Sequence, residues 1–274
     1  MSINTFQLWN RSFGWGVFGV ALLTYGLTVE PTASFWDAGE YIATAAKLQV
    51  GHPPGAPLFQ MMGAFFALFS TSTENIALMV NYMSVFSSAF TVLFLFWTLT
   101  LLIKKLPSFK SLENNAERLT FFGSASVGSL AFCFSDSFWF NAVEAEVYAM
   151  ATFILSLLFW LGLRWEQEMN SPRGDRWLLL ISFIIGLSFG VHFMGLLTIP
   201  AIGMIYYFKN TQKVTIKSFL LANVVSVAIL LFIFKLLLPT TLAFFGNSEV
   251  FFVNQMGLPF NSGTLIAALA FVLF

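Results

Sequence analysis

Long apolar runs are the feature that most constrains how this chain can fold. A helix crosses a hydrocarbon core of about 30 Å with about 20 apolar residues, and the run from Ile76 to Ile103 is longer than that. Hydrophobic residues make up 58% of the chain and charged residues only 9%, too little charge to cover a soluble domain of this size. The sequence therefore predicts an all-α polytopic membrane protein.

The distribution of basic residues predicts the topology. Eleven of the 13 lysines and arginines lie in four places: Arg11; Lys104, Lys105, Lys110 and Arg118; Arg164, Arg173 and Arg176; and Lys209, Lys213 and Lys217. The positive-inside rule places these connections and the N-terminus in the cytoplasm. The connections that fall outside carry acids: Glu30, Asp37, Glu40, Glu74, Asp136, Glu144, Glu146 and Glu249. The formal net charge is zero and there is no basic tail, so nothing indicates binding to nucleic acid.

About seven complete spans fit this topology. They are Phe13–Val29, Ile76–Ile103 and, approximately, 119–135, 147–163, 177–191, 193–208 and 218–238. The run Leu58–Phe69 is short, so we expect a helix lying at the outer interface. A last apolar run begins near Thr264 and stops at Phe274, which predicts a truncated eighth span. We expect 1–274 to form a single transmembrane domain, the N-terminal part of a longer protein.

The first outer loop, residues 30–57, is unusually rich in ionisable groups and prolines. Its Ser34-Phe-Trp-Asp37 matches a capping box, which predicts a helix from Phe35 to about Val50. Such a helix carries Asp37, Glu40, Thr44 and Lys47 on one face. After Gly51 the segment His-Pro-Pro-Gly-Ala-Pro predicts an extended path that begins at His52. Asp37 either only caps the helix or takes part in chemistry, and a polar face at the mouth of a membrane domain favours chemistry.

A second outer segment, from Asp136 to Tyr148, contains Glu144-Ala-Glu146. An acid-x-acid pair can offer oxygen ligands to a hard divalent cation. Two carboxylates alone are a weak metal signal, and an ordinary solvated loop is the alternative. Glu144 and Glu146 are therefore possible metal ligands, without a commitment to a metal.

Two further cations lie near predicted span ends. His192 is in the turn between two spans and Lys235 lies one turn before Pro239. Each could contact a phosphate at the outer leaflet. The alternatives are a hydrogen-bonded structural histidine and a lysine that extends its amine to the interface.

The motifs of both outer segments carry a resemblance. The first reads Ser-Phe-Trp-Asp37-Ala-Gly-Glu40-Tyr and then Lys47-Leu-Gln-Val-Gly-His52-Pro-Pro-Gly; the second reads Asn141-Ala-Val-Glu144-Ala-Glu146-Val-Tyr148. The chain resembles a bacterial family, long catalogued as of unknown function, that is related to the eukaryotic protein O-mannosyltransferases of the GT-C superfamily. The resemblance implies a GT-C-like transmembrane helical bundle with interfacial helices in the first outer loop, in the plasma (inner) membrane.

The resemblance also implies an activity and a partial site. The protein would move a sugar, mannose or another hexose, from a polyprenyl-phosphate donor to a hydroxyl, most simply Ser or Thr of an exported protein, with inversion. By analogy Asp37 is the base and Glu40 assists it, because a hydroxyl needs a carboxylate to take its proton. The groups implied to bind donor or acceptor are Lys47, His52, Glu144, Glu146, Tyr148, His192 and Lys235. No cofactor is implied with certainty, although a divalent metal is possible.

Two other functions remain open from the residues. A secondary transporter would use its outer carboxylates and His192 as an ion relay. A non-catalytic membrane scaffold would need Asp37 only as a helix cap, a contribution of about 0.5–2 kcal/mol. The clustering of acids on one face and the lack of a visible repeat favour the glycosyltransferase.

Overall fold

A computed structural model describes residues 3–53, 55–109 and 112–273. Within these residues every regular element is helical and no strand is present. The prediction of an all-α membrane protein is confirmed. Three positions named above, Pro54, Lys110 and Phe274, lie outside the described residues.

The chain divides into two compact units, and each is described by itself. The first unit ends at Thr198 and the second begins at Ile199. The first unit contains α1 (Ile3–Leu27), α2 (Ala38–Ala46), α3 (Pro57–Ala67), α4 (Ile76–Ile103), α5 (Asn115–Cys133), α6 (Asp136–Ala142), α7 (Val147–Glu168) and α8 (Gly174–Ser188), with 3₁₀ turns at Thr73–Asn75, Pro107–Phe109 and Phe193–Leu197. The other helices are α9 (Thr198–Asn210), α10 (Ile216–Phe232), α11 (Leu238–Val250) and α12 (Ser262–Leu273). A single transmembrane domain over 1–274 stays a prediction.

In the part of the chain that the structure describes, three helical stretches are long and apolar enough to cross a membrane: Thr73–Ile103, Val147–Glu168 and Ile216–Gln255. Two of them agree with predicted spans, and their length follows from the rise of about 1.5 Å per helical residue. The count of about seven spans and the side of the membrane on which each end lies stay predictions.

Helix α4 is the centre of the first unit and packs against α1, α5 and α7. Small and polar side chains on α4, among them Ser88 and Ala89, are fully buried, which lets neighbouring backbones approach closely. Aromatic residues fill the remaining space, with Phe96, Phe121 and Phe122 all inaccessible to solvent. Because α4 contacts three long helices, it helps to fix the position of each of them.

The first outer helix is shorter than predicted. Helix α2 covers only Ala38–Ala46, Asp37 is its N-cap, and no side chain caps it. The predicted start at Phe35 with Ser34 as cap is therefore wrong. The cause is local backbone geometry: Trp36 has φ +65° and Leu48 has φ +49°, values in the left-handed region that interrupt a right-handed helix on either side.

The helix that contains the predicted span 218–238 does not end at residue 238, because it continues through Pro239 to Gln255. Proline lacks the N–H that an α-helix needs and its ring crowds a preceding carbonyl. A π-helical turn at Ile233–Leu237 directly precedes it. Such a turn changes the hydrogen-bond register and so accommodates the proline within one continuous helix.

Candidate active site

The site begins at the first turn of α2, where three ionisable side chains meet. Asp37 is the N-cap and Glu40 lies in the first turn, while His52 follows the end of the helix. One ligand atom from each of the three lies within 4.8 Å of the other two. The sequence predicted Asp37 and Glu40 on one face, but only the return of the chain after Gly51 brings His52 to them.

Glu40 holds His52 through both carboxylate oxygens. The His52 backbone N–H donates to Oε1 at 2.6 Å, and its ring Nδ1 lies 3.0 Å from Oε2. The backbone hydrogen bond from His52, followed by the ring hydrogen bond, lowers the pKa of Glu40. Glu40 is therefore an ionised carboxylate that fixes the orientation of the imidazole, because a carboxylate that accepts two hydrogen bonds is stabilised in its charged form.

The other ring nitrogen of His52 faces Asp37, with Nε2 3.9 Å from Oδ2. This separation is too long for a hydrogen bond and leaves the Asp37 carboxylate able to accept a proton from a third group. The same three side chains could hold a divalent cation through one nitrogen and two oxygens. Nε2 of His52 could then be the nitrogen ligand, while Nδ1 keeps its hydrogen bond to Glu40.

Glu146 lies behind this group and is only 4% exposed. Burial, followed by the charges of Glu144 and Asp37, raises the pKa of Glu146 to about 7, although the backbone N–H groups of Asp37 and Val147 partly oppose the shift. Its Oε1 has no hydrogen-bond partner among the described residues. We call Asp37, Glu40, His52 and Glu146 the acid cluster.

Tyr41 packs inside the acid cluster, on the buried face of α2. Its ring contacts His52 at 5.7 Å and Phe59 at 5.1 Å between centroids. Burial, followed by the negative charges of Glu146 and Asp37, raises the pKa of Tyr41 to about 12. Its hydroxyl therefore keeps its proton and can act only as a neutral donor or acceptor.

A third chain segment reaches the same place through α3. The first backbone N–H groups of α3, on Leu58 and Phe59, both donate to the Gly190 carbonyl, at 2.7 and 3.1 Å. A Cβ at Gly190 would lie 2.7 Å from the Cβ of Leu58, so only glycine permits this approach. The contact fixes the segment that leads into His192.

His192 and Tyr148 form a pair with ring centroids 5.4 Å apart. The backbone N–H of Met194 donates to Nδ1 of His192, so the neutral ring carries its proton on Nε2. Burial lowers the pKa of His192, which favours this neutral form. His192 is thus a hydrogen-bond donor through Nε2, and Tyr148 connects it to the N-terminal turn of α7.

A cavity of about 480 Å³ lies beside the acid cluster and includes Glu144. Its lining consists of Glu30, Ala33, Ser34, Phe35, Phe140, Val143 and Glu144. Burial raises the pKa of Glu144, and a hydrogen bond from the Ser34 hydroxyl partly opposes this shift. Carboxylates beside aromatic side chains suit a polyhydroxylated ligand, because hydroxyls bond to the oxygens and C–H groups pack on the rings.

Two of the site residues named from the sequence are not joined to the acid cluster by any described contact. Lys47 is an exposed residue at the C-cap of α2 and forms no ion pair within the described residues. Lys235 belongs to the second unit, where its amine lies 5.3 Å from the ring centroid of Phe234.

Sequence reasoning missed two buried amides. Asn81 donates to the carbonyls of Glu30 and Thr32 at 2.7 and 2.9 Å, so α4 holds the start of the first outer loop. The amide of Gln60 is buried and has no partner among the described residues. A Cβ at Gly51 would lie 3.3 Å from both that amide and Glu40. The sequence did contain a signal for both residues, namely an amide within an apolar helix. Such a placement is costly and usually indicates a functional or structural role.

Fold and site together define a helical membrane protein with an acid–imidazole site built on the segment from Asp37 to His52. The family described as Protein O-mannosyl-transferase TMEM260 N-terminal domain matches residues 37–215. The chain belongs to this family. The predicted relation to eukaryotic protein O-mannosyltransferases is confirmed, and the bacterial GT-C placement stays a prediction.

Two curated relatives carry related names. Protein O-mannosyl-transferase tmem260 of Dictyostelium discoideum is 27% identical over 156 residues, which cover 57% of this chain and 17% of the relative. Protein O-mannosyl-transferase TMEM260 of Mus musculus is 28% identical over 176 residues, which cover 63% of this chain and 22% of the relative. The chain thus spans about a fifth of the length of these relatives. No solved structure matches.

Proposed function

We propose that this chain is the membrane part of a glycosyltransferase that moves a sugar from a polyprenyl-phosphate donor to a Ser or Thr hydroxyl of an exported protein. The names of its relatives favour mannose as the sugar and protein as the acceptor. The observation that carries the proposal is the acid cluster. Asp37, Glu40 and His52 of this cluster belong to the segment with which the family match begins, and the cluster provides an available carboxylate beside a fixed imidazole.

Asp37 acts as the general base. A hydroxyl that attacks the anomeric carbon loses its proton to Asp37 as the new C–O bond forms. The bond between that carbon and the phosphate oxygen breaks, and polyprenyl phosphate leaves with the electron pair. Attack on the face opposite the phosphate inverts the anomeric centre.

Hydrogen-bond donors on the side of the sugar away from Asp37 receive the leaving phosphate. His192 presents a protonated Nε2 when Nδ1 accepts from Met194, and His52, whose Nδ1 is held by Glu40, donates through Nε2 only when both ring nitrogens carry a proton. Fixed donors of this kind stabilise charge that develops in the transition state. Lys47, exposed at the end of α2, adds a positive charge at longer range.

The cavity lined by Glu30 and Glu144 accommodates the acceptor segment or the sugar hydroxyls. Its exposed aromatic side chains, Phe35 and Phe140, provide apolar surface for a peptide or a sugar ring. Glu144 is buried at its edge and is linked through Ala145 to Glu146. The cavity therefore adjoins the acid cluster in sequence at two places, because Phe35 closely precedes Asp37 and Glu144 closely precedes Glu146.

The test is transfer of radiolabelled sugar from a polyprenyl-phosphate donor to membrane proteins by the full-length protein. Wild type is compared with Asp37→Asn, which keeps the size of the side chain but removes the base. Asp136→Asn is the matched control, because Asp136 is an exposed acid in the first turn of α6 and lies outside the acid cluster. We expect Asp37→Asn to lose transfer by about 100-fold or more, with donor binding retained.

Two results would contradict the proposal. Equal transfer by wild type and Asp37→Asn would remove Asp37 from the chemistry and transfer the role of base to Glu40. No transfer by wild type with a full set of donors and acceptors would reject the enzyme and leave the transporter or the scaffold.

A further inference from the structure

A second cavity lies within the first unit, away from the acid cluster. Its volume is about 660 Å³. The residues that line it are Phe6, Gln7, Asn10, Arg11, Trp97, Thr100, Leu101, Lys104, Phe109, Leu112, Trp160, Arg164 and Gln167. We call it the basic cavity, because it contains three cations and no carboxylate among these residues.

The three cations come from three different helices. Arg11 lies on α1, Lys104 is the C-cap of α4 and Arg164 lies in the last turns of α7. Like charges on separate helices repel one another unless an anion joins them. The convergence of three cations on one cavity therefore indicates a negatively charged occupant.

Neighbouring acids neutralise this charge only in part. Glu166 forms an ion pair with Lys105, which does not line the cavity. Glu168 lies 3.7 Å from Arg164, and Gln167 accepts one further hydrogen bond from the guanidinium at 3.3 Å. Nε of Arg164 is buried and has no partner among the described residues, so this guanidinium retains unused donor capacity.

The walls of the basic cavity are aromatic. Trp97 and Trp160 pack as a tilted pair with ring centroids 5.8 Å apart, and the Lys104 amine lies 4.6 Å from the ring centroid of Phe6. A site that combines cations with apolar walls fits a molecule that is anionic at one end and apolar beside it. A free inorganic anion would not use the aromatic surface.

The basic cavity lies at the helix ends remote from the acid cluster. Helix α7 begins directly after Glu146, and Arg164 lies about 25 Å further along it at about 1.5 Å per residue. Arg11, Lys104 and Arg164 belong to three of the connections that the charge distribution predicts to be cytoplasmic. Lipid headgroups occupy this level of a membrane, and basic pockets between helices bind anionic ones.

We propose that the basic cavity binds the phosphate headgroup of an anionic membrane lipid. Arg164 provides the principal hydrogen bonds, Arg11 and Lys104 provide charge, and Trp97 and Trp160 contact the glycerol or the first methylenes. This assignment does not depend on the proposed transferase activity. A glycerophospholipid and a polyprenyl phosphate share the recognised chemistry.

The experiment is native mass spectrometry of the full-length protein in detergent with added lipid. The lipids are phosphatidylglycerol, polyprenyl phosphate and zwitterionic phosphatidylcholine, with inorganic phosphate as a soluble probe. We expect wild type to retain an anionic lipid and Arg164→Gln to retain about tenfold less, the loss expected for one charge-assisted hydrogen bond. Lys105→Gln is the matched control, because Lys105 adjoins Lys104 but lies outside the cavity.

Each result supports or overturns the proposal. Preference for phosphatidylglycerol or for polyprenyl phosphate supports it and identifies the lipid. Equal retention of phosphatidylcholine, equal binding of inorganic phosphate, or equal losses in Arg164→Gln and Lys105→Gln would overturn it. If Arg164→Gln does not fold, Arg11→Gln with Lys104→Gln tests the same charge without removing the ion pair to Glu168.

Discussion

The two ends of the first unit carry opposite charge and use it differently. At the acid end, Asp37 and Glu40 meet His52, Glu40 is hydrogen-bonded to it, and Glu146, from a distant part of the chain, is buried. At the basic end, Arg11, Lys104 and Arg164 face a cavity of about 660 Å³ and are only partly paired. Side chains at the acid end bond to one another, whereas the cations at the basic end line a cavity.

This difference separates chemistry from attachment. Fixed, mutually bonded groups are suited to a reaction, because their orientation costs nothing at the moment of transfer. Cations that line an open cavity are suited to hold an anion whose position need not be exact to a fraction of an ångström. We therefore expect substitutions at the two ends to affect different measurements.

The largest expected effect tests the comparison by measuring both sugar transfer and lipid retention for one substitution at each end. Asp37→Asn should reduce sugar transfer by about 100-fold or more, since a positioned base contributes that much, and leave lipid retention unchanged. Arg164→Gln should leave transfer within about twofold, because Arg164 lies about 25 Å along α7 from the acid cluster. Transfer rates and lipid retention measured on the same preparations decide this, and a large loss of transfer in Arg164→Gln would show that the two ends are coupled.

The next effect concerns the buried acid. Burial raises the pKa of Glu146 from 4.5 to about 7, so the folded protein holds this proton to higher pH than the unfolded chain. Stability should therefore fall as the pH rises from about 4.5 to about 7, by up to about 3 kcal/mol. Glu146→Gln should abolish that fall, as measured by thermal unfolding in detergent from pH 4 to pH 8.

The control for Glu146 is Glu74→Gln, since Glu74 is an exposed acid before α4. It should keep the pH dependence of wild type. A pH dependence of Glu146→Gln identical to that of wild type would mean that Glu146 stays ionised in the folded protein.

A third effect tests how the acid end is held in place. Asn81→Leu removes two hydrogen bonds to the first outer loop and leaves the Glu30 and Thr32 carbonyls without this partner. We expect a loss of about 2 kcal/mol in the free energy of unfolding. Asn141→Leu is the control, because it removes one local hydrogen bond to Ser137, and it should cost less than about 1 kcal/mol. Equal losses of stability in the two variants would show that Asn81 does not hold the loop in place.

A smaller effect concerns the orientation of His52. Glu40→Gln keeps an acceptor for the His52 backbone but weakens the bond to the ring, so transfer should fall by about tenfold, as for one charge-assisted hydrogen bond. Glu40→Ala, which removes both acceptors, should fall further. Steady-state transfer rates at saturating donor measure both, and a greater loss in Glu40→Gln than in Asp37→Asn would make Glu40 the base.

The smallest expected effect is that of metal removal. The proposed mechanism assigns the chemistry to the Asp37 carboxylate and to hydrogen-bond donors, so it needs no divalent cation. Transfer after treatment with a chelator should stay within about twofold of the untreated rate. A loss that added magnesium or manganese restores would assign Asp37, Glu40 and His52 as metal ligands.

The sequence was informative about the helices and about the loops that carry acids. The predicted spans at 147–163 and at Ile76–Ile103 correspond to α7 and α4, because long apolar runs have few alternatives in a membrane. The predictions from the sequence were wrong at helix ends. The boundaries of α2 depend on positive φ values at Trp36 and Leu48, and the passage through Pro239 depends on a π-helical turn, neither of which composition reveals.

The sequence by itself determined the class of protein, the family resemblance and the identity of most ionisable groups that meet near Asp37. Hydrophobicity and charge act locally, so they can be read along the chain. Only the tertiary structure decided that Glu40 holds His52, that Glu146 is buried against Asp37 and that Gly190 fixes the approach to His192. These relations arise from packing between segments distant in sequence, where burial changes the energy of a charge.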